Sequence, residues 1–137
     1  MLIKELITRT EKEYMIITLL KHYKVEKVKV KYKSMKDHAH YNVDTGTLEL
    51  SSKYKEIKPR QMKEFLITIL HEIRHAMDAK KYGWRKFKEM YEMEMNMISQ
   101  GHYPGKDDPY KDNKYEIDAE NFGVKNMSRW KSHFTKN

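Results

Sequence analysis

Between Met62 and Tyr82 the residues Met62, Leu66, Ile69, Leu70, Ile73 and Met77 return every three or four positions, the repeat of a helix that turns one apolar stripe toward a core. At about 100° per residue, Thr68, His71, His75, Asp78 and Tyr82 fall on the opposite side. A helix with an apolar stripe behind and two histidines in front makes the wall of a cleft. The rest of the chain must therefore supply a core on one side and leave a site open on the other.

Within that helix, His71-Glu72-Ile73-Arg74-His75 is an HExxH arrangement. Helical residues four apart hold their Cβ atoms about 5–6 Å from each other, so two imidazole nitrogens can converge on one ion at about 2.1 Å. Glu72, turned by about 100° from His71, flanks the same point and can take a proton from a water there, which makes it a candidate general base. Cysteine is absent, so a metal has only His, Asp or Glu to hold it, and no disulfide staples the fold.

The 137 residues suit one domain, 1–137, large enough to bury about two-thirds of its unfolded surface. In the first segment, Leu2, Ile3, Leu6, Ile7, Ile16, Ile17, Leu20 and Tyr23 recur at helical spacing, which predicts a covering helix over 1–23. Charges interrupt it, so it is neither a signal peptide nor a membrane span, and a cytoplasmic protein without a membrane partner is expected. A net charge of +8, mostly from lysine, suits acidic partners such as nucleic acid and equally a solvated surface.

A small sheet is expected over 25–52. Val28, Val30 and Tyr32 alternate with lysines, and residues 38–52 read as a hairpin turning at Asp44-Thr45-Gly46. Pro59 suits the first turn of the motif helix, predicted over 59–82 with Gly83 as its stop. A further helix follows over 84–99, whose methionines at 90, 93, 95 and 97 suit adaptable packing or, less readily, a peptide-binding surface. Residues 101–113 are dense in turn formers, and a last helix is expected over 114–130.

A catalytic zinc takes three protein ligands and leaves one position open, so a third donor is required. The last helix offers Glu116, Ala119 and Glu120 on one face, with Ala119 leaving room for two helices to approach. Asn113-Lys114-Tyr115-Glu116 also resembles a capping box, so Glu116 has a structural alternative. His38 and His40 on the hairpin read as polar surface. His102, Tyr103, Tyr110 and Tyr115 can each stabilise a developing oxyanion, and nothing in the sequence selects among them.

HEIRH followed by Glu116-Ile117-Asp118-Ala119-Glu120 resembles the gluzincin-type zinc metallopeptidases, most closely the ImmA/IrrE-like and minimal single-domain members. The similarity covers roughly residues 25–128, and only the two short motifs are specific. It implies a compact α+β, zincin-like domain with a small, mainly antiparallel sheet packed on the HExxH helix and further helices. It also implies Zn2+ held by His71, His75 and Glu116, with Glu120 orienting His71 and Glu72 as the base in hydrolysis of an intracellular protein or peptide. The residues after His75, AMDAKKYG, lack the glycine and third histidine of the metzincins. Two alternatives remain: a SprT-like, DNA-associated protease with His102 as third ligand, and a non-catalytic basic binding module with a structural or absent metal.

Overall fold

Thr8 decides where the first helix of the described residues begins. Its hydroxyl accepts from Glu11 N at 3.1 Å while the Glu11 carboxylate reaches back to the Thr8 N–H, a reciprocal cap. In this computed structural model, which describes residues 6–135, helix α1 runs Arg9–His22 rather than across 1–23. Ile7, ahead of the cap, pairs with Ile57 in an antiparallel bridge, and Leu2 and Ile3 lie outside the described residues.

Three strands follow, β1 Lys29–Lys33, β2 Ala39–Asn42 and β3 Thr47–Ser51, in the order β1-β3-β2. The expected hairpin is β2–β3. Its turn is held by Asn42, whose side-chain oxygen accepts from the N–H groups of Asp44 and Thr45, and by Gly46 at φ +65°. β1 joins the other side of β3 in parallel, so the sheet is mixed rather than mainly antiparallel. Residues 34–38 carry the chain across the end of β3, where Ser51 N donates to His38 O at 2.9 Å. Lys29, Lys31 and Lys33 face solvent, while Val30 and Tyr32 pack inward.

A short 3-10 turn, Pro59–Gln61, leads into α2, Met62–Tyr82, so the α-helix proper begins three residues later than expected. Its apolar stripe is buried against Leu48 and Leu50 of β3, Leu19 and Leu20 of α1, and Trp130. Glu72, His75 and Asp78 on the other side are buried too, because α3 (Trp84–Ser99) and α4 (Lys114–Thr135) cover it. α4 runs five residues past the expected end at 130; Trp130 and Phe134 stack there with ring centroids 5.7 Å apart. Ala119 and Gly123 let α4 lie close on α2. The α+β class is as expected, and among the described residues no helix is long and apolar enough to cross a membrane.

Candidate metal centre

The first turn of α4 is pinned from two sides. The fully buried Asn113 caps it, its Oδ1 accepting from Tyr115 N at 3.0 Å, and its amide reaches Tyr91 O on α3. Glu94, also buried on α3, accepts from Lys114 N at 3.0 Å. A carboxylate against a helix N-terminus is favoured by the exposed N–H dipoles there. With Asn113 and Glu94 satisfying these donors, Glu116 takes no part in a capping box. Its side chain turns to α2 instead.

There Glu116 Oε1 lies 2.8 Å from His71 Nε2 and 2.9 Å from His75 Nε2. Its other oxygen, Oε2, accepts from the Tyr91 hydroxyl. His71 Nδ1 meets Glu120 Oε2 at 3.0 Å, so donation of Nδ1–H to Glu120 leaves the Nε2 lone pair for a ligand. His75 has no such partner on Nδ1; its ring is positioned by packing against Phe87 and Tyr91. The predicted residues His71, Glu72, His75, Glu116 and Glu120 are thus brought together.

Charge follows from this crowding. Burial opposes a proton on His71, but Glu116, Glu72 and Glu120 together outweigh it and raise its pKa to about 9. Burial likewise works against the Glu116 carboxylate, yet its bonds to His71, His75 and Tyr91 hold it well below the usual carboxylate range. Burial raises the Glu72 pKa, with His75 and His71 opposing.

The donor set fits a divalent metal with nitrogen and oxygen ligands. Nitrogens of His71 and His75 and an oxygen of Glu72 lie within 4.8 Å of one another, and Glu116 Oε1 sits closer still to both imidazoles. Donors around a tetrahedral zinc stand about 3.4 Å apart at bond lengths of about 2.1 Å, so the His–Glu116 spacings need to open by only about 0.5 Å. Glu72 lies off this convergence, with Oε1 3.9 Å from His71 Nε2. Its Oε2 is buried without a hydrogen-bond partner, a costly arrangement for a carboxylate oxygen unless a ligand or reacting group is to meet it.

Two hollows flank this point along strand β2, and both are lined by Glu72 and Tyr110. Of the four oxyanion candidates only Tyr110 faces the cleft. Tyr115 is buried behind it, edge-on to Phe87, while Tyr103 and His102 line neither hollow. His102 instead meets Gln100 Oε1 at 3.1 Å on an exposed turn, away from the position a third ligand needs. Burial and then Glu116, Glu72, Asp37 and Glu120 raise the Tyr110 pKa, so its phenol stays protonated at neutral pH. His38 and His40, read from sequence as polar surface, line the two hollows, and His40 is close enough to Glu72 to favour its charge.

Tyr91 is the residue that sequence reasoning missed. It sits among the methionines of α3, where a residue turned to the site looks like one more core position, and only its i−4 neighbour Phe87 hints at the shared face. Compared with known proteins, the chain matches no family model, no curated protein and no solved structure.

Proposed function

We propose that this chain is a zinc-dependent peptidase of the gluzincin type, acting on an intracellular protein or peptide. One observation carries the proposal: a single carboxylate oxygen of Glu116 meets both HExxH imidazoles within 3 Å, while the neighbouring Glu72 keeps a buried oxygen without a partner. His71, His75 and Glu116 would hold the metal, with Glu120 and Tyr91 fixing the orientation of His71 and Glu116. When bound, zinc supplies a Lewis acid that acidifies water and polarises a carbonyl.

The chain's own groups supply the proton handling. Glu72 takes a proton from the attacking water and returns it to the amide nitrogen as the C–N bond breaks; the raised pKa that burial gives it suits a group that must do both near neutrality. Tyr110, kept protonated, donates a hydrogen bond to the carbonyl oxygen as it gains charge. The edge strand β2, whose outer side borders both hollows, offers main-chain pairing to an extended substrate.

A digest of a mixed peptide library tests this directly. Zinc-reconstituted protein should cleave peptides and lose that ability on chelation, recovering it when zinc is returned. Cleavage that is indifferent to chelation, or none from protein shown to carry zinc, would overturn the proposal.

A further inference from the structure

Two segments hold the positive excess of the whole chain. Residues 21–33 carry Lys21, Lys24, Lys27, Lys29, Lys31 and Lys33, and residues 80–88 carry Lys80, Lys81, Arg85, Lys86 and Lys88. Together they have 11 of the 28 Lys and Arg and one, Glu26, of the 20 Asp and Glu, which makes them +10 in a chain of net +8. The remainder is therefore slightly acidic.

The fold joins the two segments. Lys80 Nζ donates to Lys24 O beside the end of α2, and Lys29 N donates to Gly46 O at 3.2 Å, which brings the start of β1 to the β2–β3 turn. A hollow of about 630 Å³ lies there, lined by Lys24, Lys27 and Lys80 together with Tyr41 and Trp84. Of its two acids, Asp44 is already neutralised by Lys88, which leaves Glu26. Beyond the hollow, Lys29, Lys31 and Lys33 follow the outer face of β1 at steps of about 6.6 Å, two residues of a strand. Among the described residues the ten cations other than Lys88 are in no ion pair.

Helix stability does not account for this gathering. Lys80 and Lys81 suit the carbonyl end of α2, but Arg85 and Lys86 sit at the start of α3, where unpaired N–H groups disfavour cations and the first turn has no acid. Like charges so close also repel one another, a cost that interspersed acids would remove.

We infer that this surface binds single-stranded nucleic acid, with phosphates on the lysines of β1 and of the hollow and a base stacked on Trp84. The inference stands apart from the peptidase proposal, since no residue of the metal centre takes part in it.

Charge complementarity selects a polyanion, and Trp84 selects its kind. The indole is 46% exposed at the hollow, with the Arg85 guanidinium 5.2 Å from its ring centroid, so an aromatic face and a cation are presented together. An unpaired base stacks on such a face whatever its identity. The bases of a duplex are already stacked on one another and offer Trp84 no face. A lipid headgroup layer is flat and leaves the lysines inside a hollow out of reach.

The test is the anisotropy of a labelled oligothymidylate of about 15 nucleotides, titrated with the full chain while tryptophan emission is followed. One phosphate neutralised by each of Lys27, Lys29, Lys31 and Lys33 predicts a slope of about −3 in log affinity against log salt, hence a loss of about fiftyfold between about 50 and about 200 mM. Trp130 is only 5% exposed, so quenching of the emission on binding reports Trp84. Trp84→Ala should weaken binding about tenfold, abolish the quench and leave the slope unchanged. Lys27→Gln, Lys29→Gln and Lys31→Gln combined should make the slope shallower by about 2. Lys111→Gln, Lys125→Gln and Lys131→Gln combined, exposed positions elsewhere with the same loss of charge, should leave it in place. No binding, no quench, or equal losses in the two triple variants would overturn the inference. So would a dT·dA duplex bound as tightly as the single strand, or phosphatidylserine vesicles that strip the chain from the oligonucleotide at equal charge.

Discussion

Gly123→Ala places two effects in opposition at the point where α4 meets α2. A Cβ at position 123 would lie 2.8 Å from the backbone oxygen of Ile67 and 3.5 Å from His71 N. In an α-helix the Ile67 carbonyl accepts from the N–H four residues on, that of His71 itself, so it cannot swing away without opening a turn of the motif helix. Relief requires α4 to move outward by about 0.6 Å, the difference between 2.8 Å and an ordinary contact of 3.4 Å. Alanine gains about 1 kcal/mol over glycine in a helix interior. Overpacking against rigid backbone costs about 1–3 kcal/mol, and because the atom met is backbone rather than a flexible side chain, this cost wins. The expected net loss is the difference, up to about 2 kcal/mol.

Glu116 and Glu120 lie seven and three residues before Gly123 on the same helix face, so the displacement also carries both carboxylates away from His71 and His75. Urea unfolding of the metal-free protein should show a lower midpoint with an unchanged slope. A variant more stable than the parent, the gain expected of alanine where nothing is met, would refute the close approach of the two helices.

Glu72→Gln should retain zinc and lower turnover at least a hundredfold, since the amide keeps the shape but cannot accept a proton; more than about a tenth of the activity remaining would remove Glu72 as the base. Tyr91→Phe deletes the donor to Glu116 Oε2 and should weaken zinc binding about tenfold without unfolding the chain, as read by competition with a chromogenic chelator; unchanged affinity would mean that Tyr91 does not position the ligand. In metal-free protein the His71 pKa is raised from 6.5 to about 9, so its stabilising contribution is complete below pH 6.5 and lost as pH rises through 9. Zinc must displace that proton, so its affinity should rise about tenfold per pH unit between about pH 7 and 9; a flat profile would contradict the assignment of His71 as a ligand that starts out protonated.

The motif helix was legible because a periodicity of 3.6 places six apolar residues on one side and two histidines on the other, and no other element satisfies both. Glu116 was legible only as one of two roles. A carboxylate three residues after Asn113 suits a cap as well as a ligand, and the choice depends on Glu94, a residue of another helix that takes up the Lys114 N–H. The parallel pairing of β1 was not legible, since alternation with period two is the same whichever way a neighbour runs. Lys12 is another case: helical spacing puts it on the face of Met15, Ile16 and Leu19, but its partners, the carbonyls of Tyr54 and Lys55 and the ring of Tyr32, lie far along the chain. Tyr110 sits in a turn-rich segment with no periodicity to reveal where its side chain points. Gly123 could have been found: Glu116, Ala119, Glu120 and Gly123 follow the i, i+3, i+4, i+7 rule of a single helix face, with small residues where two helices must touch.

The central claim is that His71, His75 and Glu116 together hold one zinc ion. Elemental analysis of the dialysed, zinc-reconstituted chain beside its Glu116→Gln variant tests it most directly. Asn113 rather than Glu116 caps α4, so the variant should keep its helix content. The expected result is about one zinc per parent chain and loss of most of it from the variant under the same dialysis. A parent with less than about a tenth of an equivalent, or a variant that retains zinc as well as the parent, would contradict the claim.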